Sequence, residues 1–135
     1  MKRFLPVLVL AFLTVASSTA ANPVPNTTIT LINELPATMN VGDVATIEIQ
    51  VSSDQEFISV TALPSFQYPG KGVVAVQGGS RAGSGTFATL ELTFQAKSST
   101  ARMTDGVAPV YVVVGVRYPG GFVATERFAF YVTVP

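Results

Sequence analysis

Residues 44–52 alternate strictly: Ala45, Ile47, Ile49 and Val51 are apolar, whereas Thr46, Glu48, Gln50 and Ser52 are polar. A period of two sends each set to its own face, so the stretch predicts a half-buried β-strand. Residues 86–96 repeat the pattern, with Ala88, Leu90, Leu92, Phe94 and Ala96 against Thr89, Glu91, Thr93 and Gln95. Residues 28–32 form a shorter alternator with Ile29 and Leu31 on one face. Leu35-Pro36 breaks it, and residues 38–41 are expected to resume it before a Gly42-Asp43 turn. Residues 57–63 place Ile58, Val60 and Ala62 together, and Pro64 is expected to end that strand. Residues 73–77 are short and apolar.

Two long strands close the chain. Residues 107–118 are apolar on both parities, with Val110, Val112, Val114 and Val116 against Tyr111, Val113 and Gly115. Such a strand is central or has one face covered. Residues 122–134 return with Phe128, Phe130, Val132 and Val134 on one face, and Ala129, Tyr131 and Thr133 on the other. Glu126 falls on the apolar parity, so either it lies beyond the core rim or a bulge near Thr125 shifts the register.

Turn chemistry separates these segments. Residues 52–56 (SSDQE) read as a polar turn, Tyr68-Pro69-Gly70-Lys71-Gly72 as a second, and residues 78–85 (GGSRAGSG) as a flexible loop. Residues 97–106 are polar and loop-like, with a turn signal at Asp105-Gly106. Tyr118-Pro119-Gly120-Gly121-Phe122 makes a hairpin. No stretch sustains a helical period. About seven strands, spaced 8–12 residues apart in about 115 residues, predict an all-β chain folded as one antiparallel β-sandwich.

The first 20 residues stand apart. Lys2 and Arg3 precede an apolar run at 4–16, followed by Ser17-Ser18-Thr19-Ala20-Ala21. This is the layout of a secretory signal peptide, with cleavage expected after Ala20 or Ala21. The run of about 13 residues is short of the roughly 20 that a spanning helix needs, so no membrane insertion is expected after its removal. The domain then occupies residues 21–135, opening with a Pro-rich leader, Asn22-Pro23-Val24-Pro25-Asn26. An extracellular, cell-surface or periplasmic location follows from the same reading.

Composition narrows the function. Loss of Lys2 and Arg3 leaves six basic against eight acidic residues, a net charge of −2, which gives no drive toward nucleic acid or anionic lipid. The chain has no His and no Cys, so imidazole bases, thiol nucleophiles, zinc sites and disulfides are excluded. A Ser nucleophile would need Lys71 or Lys97 as its base. Neither stands in an S-x-x-K pattern, and Ser84 lacks the strand–turn–helix setting of a nucleophile elbow. Asp54 and Glu56 are the only close carboxylate pair, in a turn where Asp serves backbone hydrogen bonding; Glu48 and Glu91 read as solubilising side chains. The turn acids Asp43, Asp54, Glu56 and Asp105 form no calcium-loop series. No catalysis, no cofactor and no metal are therefore expected.

Residues 35–51 (LPATMNVGDVATIEIQV) and 110–134 (VYVVVGVRYPGGFVATERFAFYVTV) resemble the opening and closing strands of bacterial extracellular immunoglobulin-like domains, in which a Pro-kinked first strand and a Gly-Asp turn lead into an alternating second strand. The likeness covers nearly the whole chain after the signal peptide. It lacks the Cys pair and core Trp of antibody domains. It implies an immunoglobulin-like β-sandwich serving as a spacer, adhesion or accessory binding module.

A binding role directs attention to the last hairpin. With the valines and phenylalanines facing inward, Tyr111, Val113, Ala129 and Tyr131 face outward, flanked by Arg117 and Arg127. Tyr, Val and Arg together have the composition of an interaction surface for a protein or glycan. The alternative is self-association: residues 22–32 donated as a strand to a neighbour's edge, making the protein a subunit of a surface fibre or oligomer.

Overall fold

The structure, a computed structural model, describes residues 23–65 and 72–135. The expected signal peptide with its expected cleavage point, Asn22, and the turn expected at Tyr68-Pro69-Gly70-Lys71 lie outside the described residues.

Eight strands are present among the described residues: β1 (Thr27–Asn33), β2 (Val44–Phe57), β3 (Ser59–Ser65), β4 (Val73–Ala75), β5 (Ser80–Ala82), β6 (Gly85–Ala96), β7 (Ala108–Arg117) and β8 (Val123–Val132). They form two four-stranded antiparallel sheets in a sandwich-like arrangement, β1-β2-β6-β4 and β5-β3-β7-β8.

The alternating residues supply the core. Ile47, Ile49 and Val51 of β2 and Leu90, Leu92 and Phe94 of β6 are buried in one cluster with Val60, Val110, Val112, Val114, Val116, Phe130 and Val132 of the second sheet. Each such side chain contributes about 1.5–3 kcal/mol when fully withdrawn from water. Ile29 and Leu31 pack against this cluster from β1. The β7–β8 register runs without a shift from Ala108↔Val132 to Arg117↔Val123, and Glu126 is exposed opposite Val114. The first of the two alternatives for Glu126 therefore holds: β8 is an edge strand, and this position reaches past the core rim.

Several local expectations are corrected. Residues 52–56 are strand, not turn. Ser52 and Ser53 pair with Thr28 and Thr27, and the Asn26 amide donates to Asp54 Oδ1 at 2.8 Å. A ladder supplied from a distant segment outweighs the polar local composition. Against β6 the same stretch is irregular: Ser52 pairs with Phe87 but Phe57 already pairs with Gly85, so the extra residues bulge.

Phe57, not Ile58, is the buried side chain where the chain crosses between sheets, and Ile58 is exposed as the single residue between β2 and β3. Pro64 does not end β3. It pairs with Val112 on the β7 side, while β5 covers only Val60, Thr61 and Ala62, so no ladder partner is lost at its missing N–H. Residues 38–41 form only a parallel bridge, Thr38↔Thr133, rather than a resumed strand.

The Gly-rich stretch at 78–85 contains β5. A Cβ at Gly79 would stand 2.8 Å from Leu63 Cδ2 and 3.1 Å from the Ala62 carbonyl oxygen, so glycine lets the chain enter β5 close to β3 without displacing the Leu63 side chain.

Two buried polar side chains close the ends of the sandwich. Tyr118, expected as a turn residue, is buried edge-on against Phe57 with ring centroids 6.4 Å apart. Its hydroxyl donates to Ser53 Oγ at 2.8 Å and shares a hydrogen bond with Thr27 Oγ1. Thr100, expected in a polar loop, is fully buried at the other end. Its Oγ1 donates to the Gly106 carbonyl at 2.7 Å and accepts from the Val134 amide at 2.9 Å. The loop from 97 to 107 is thereby tied to the end of β8.

Candidate interaction surface

The outer parity of β7 carries Pro109, Tyr111, Val113, Gly115 and Arg117, and that of β8 carries Val123, Thr125, Arg127, Ala129 and Tyr131. Cross-strand pairing sets Val113 opposite Arg127, Tyr111 opposite Ala129, and Pro109 opposite Tyr131. Tyr131 is 57% exposed and Val113 38%, while Tyr111 is half-buried. These residues form one patch because inward valines on both strands commit the opposite parity to solvent.

Arg127 lies within the patch rather than at its flank. Its guanidinium carbon stands 4.1 Å from the Tyr111 ring centroid, a cation–π contact between diagonal neighbours. At an exposed site such a contact contributes about 0.5–1 kcal/mol and fixes the Tyr111 ring. Arg117 sits at the far end of β7, opposite Val123 and four residues from Val113.

Two members of this face were not expected. Leu63, 51% exposed, lies opposite Val113 on β3 and extends the apolar patch. Its outward direction follows from the parity of Val60 and Ala62. Arg81 lies opposite Thr61 on β5, in a segment whose glycines conceal a strand.

At the edge of the patch, a cleft of about 300 Å³ opens between the turn carrying Met103 and Asp105 and the side chains of Pro109, Tyr111 and Tyr131. A 3-10 turn, Thr104–Gly106, builds its wall, with Asp105 in the left-handed region at φ 57°. Asp tolerates this conformation better than most residues because its short side chain bonds locally. Thr100 holds the turn from below through the Gly106 carbonyl. The cleft thus joins two aromatic rings, an apolar floor and one carboxylate, a mixture suited to orienting a ligand segment.

The other polar residues considered for chemistry are dispersed. Ser84 is exposed between β5 and β6, and Lys97 is exposed at the end of β6. Asp54 accepts the Asn26 amide, and Asp43 Oδ2 accepts the Asn40 amide at 2.8 Å, closing its own turn. Among the described residues no group of three or more acidic side chains is placed to hold a metal ion. Glu48 and Glu91 stand directly opposite each other on the outer face of the first sheet.

No protein-family model matches the chain, and no curated protein matches it. The fold and this surface are therefore the physical basis for assigning a role.

Proposed function

We propose that the protein is an exported, non-catalytic binding module, an immunoglobulin-like β-sandwich that contacts a protein or glycan through the outer face of β7 and β8. The topology supports the immunoglobulin-like reading. Taken in order, β1, β2, β6 and β4 correspond to strands A, B, E and D of such domains, and β3, β7 and β8 to C, F and G. The parallel bridge Thr38↔Thr133 further resembles a first strand that changes sheets after a proline, here Pro36. One departure stands out: β5 lies beside β3 but follows β4 in the chain.

The observation that carries the binding role is the uncovered patch of Leu63, Val113 and Tyr131 beside the Arg127–Tyr111 stack. An exposed aromatic and aliphatic cluster with arginine at its centre has the make-up of binding hot spots. Strand exchange is less favoured, because β1 already pairs with β2 of its own chain from Thr27↔Ser53 to Asn33↔Glu48.

The test is retention of the labelled mature protein on the envelope of the cell that makes it. Tyr131→Ala and Tyr111→Ala are expected to cut retention about tenfold or more while leaving the fold intact. Undiminished retention of both variants would refute the assignment of this face. N-terminal sequencing of secreted protein is expected to begin at Ala21 or Asn22, and recovery of the uncut chain would refute export by a cleavable signal.

A further inference from the structure

Charge is divided unevenly between the two outer faces. On the second sheet, Arg81, Arg117 and Arg127 point outward from β5, β7 and β8, and no Asp or Glu shares that parity. On the first sheet, the outward residues of β2 and β6 include Glu48 and Glu91 and no Lys or Arg. The basic face thus belongs to a chain whose charge after signal removal is net acidic.

The positions are set by register. Arg81 is opposite Thr61, which is opposite Gly115; Arg117 lies two residues beyond Gly115, and Arg127 opposite Val113 lies two residues before it. With strands about 4.8 Å apart and about 3.4 Å per residue, the three Cα atoms stand about 12–16 Å from one another. They surround Gly115, where an added Cβ would meet only Thr61 Oγ1 at 3.9 Å. Among the described residues neither Arg81 nor Arg117 pairs with a carboxylate, and Arg127 rests on Tyr111.

The acidic face is the counterpart. Glu48 and Glu91 are direct cross-strand partners at its centre, with no cation on either. Like charges placed directly opposite each other are unfavourable, and a guanidinium brought from outside would relieve the pair while donating hydrogen bonds to it. Phe87 and Val44, both exposed, lie toward opposite ends of the same face.

We propose that the outer face of the second sheet docks on the outer face of the first sheet of another copy of this chain, with arginines set against the Glu48–Glu91 pair. The proposal rests on the assignment of the β7–β8 face as the binding surface and names its partner. Because the two faces differ, the contact is head to tail and leaves a free face of each kind at the ends of a stack. A four-stranded face about 19 Å wide and about 27 Å long offers roughly 500 Å² per partner. The total of about 1,000 Å² is at the lower limit for a specific interface. Association is therefore weak, concentration-dependent and sensitive to salt.

Sedimentation velocity of the mature chain over a range of concentrations, in low and high salt, tests this. Assemblies growing with concentration in low salt and dissolving in high salt are expected. Two doubly substituted variants make the test specific. Glu48→Arg with Glu91→Arg turns both faces basic; Arg117→Glu with Arg127→Glu turns both acidic. Each alone is expected to weaken self-association about tenfold or more, and an equimolar mixture to restore it. Circular dichroism and thermal melts establish that both variants fold.

A wild-type chain that stays monomeric throughout overturns the proposal. It leaves the binding surface itself standing, since loss of envelope retention in Tyr131→Ala does not depend on self-association. Assemblies that survive both charge reversals but vanish on deletion of residues 22–32 overturn it in favour of strand exchange.

Discussion

The two ends of the sandwich are each closed by one buried residue carrying a hydroxyl, yet they close differently. At one end Tyr118 fills space with an aromatic ring, packs near Phe57 and Phe122, and ties its hydroxyl to side chains of β1 and β2. At the other end Thr100 fills little space and bonds only backbone, holding a loop against the end of β8. The first end is sealed by packing, the second by polar bracing. Each end also carries a cleft: about 300 Å³ beside Tyr111 and Tyr131 at the braced end, and about 440 Å³ beside Tyr118 and Phe122 at the packed end, walled by Pro23, Val24 and Pro25.

Substitutions at these residues separate the two modes. The largest effect is expected from Tyr118→Ala, which empties the packed end: about 3–5 kcal/mol lost in denaturant unfolding, as for other buried aromatics. Thr100→Val keeps the volume but leaves the Val134 amide and Gly106 carbonyl without this partner. It is expected to lose about 1–3 kcal/mol, with amide exchange quickened in the 100–107 loop before the sheets. Tyr118→Phe removes only the hydroxyl and is expected to lose about 0.5–1.5 kcal/mol, less than Thr100→Val because its partners are part-buried. If Tyr118→Phe proved as damaging as Tyr118→Ala, polar bracing would govern both ends and the contrast would collapse. The smallest effect is expected from Arg127→Ala, about 0.5–1 kcal/mol, with altered Tyr111 ring signals by NMR while those of Tyr118 stay unchanged.

The difference between the ends also explains what was legible from the residues alone. Strands that bury one face declare themselves by alternation, so β2 through Ser52, β6 and the closing hairpin were readable with their core faces. Burial of Ile47, Leu92, Phe94 and Val112 follows that pattern. Residues 52–56 and β5 were not readable, because their ladders come from β1 and β3, distant in the chain, while their own composition is that of turns. Tyr118 and Thr100 sit among prolines, glycines and serines, where a single buried polar residue leaves no periodic trace. On the candidate surface, the outward direction of Tyr111, Val113 and Tyr131 came from parity. The Arg127–Tyr111 stack required the diagonal geometry of two paired strands, and Arg81 required a strand that glycine disguised.

The lacing of the two sheets has a kinetic consequence. After β3 the chain visits the first sheet as β4, returns to the second as β5, and crosses back as β6. Neither sheet can therefore be completed from a contiguous stretch. Residues 37–39 are held by the Thr133 backbone, Met39 donating to its carbonyl at 2.9 Å and Thr133 donating to the Ala37 carbonyl at 2.8 Å. Contacts of such long sequence separation slow folding, and here the last of them cannot form until residue 133 has left the ribosome. Closure of the sandwich is consequently a late step, one that waits for the segment at Thr133 to reach residues 37–39.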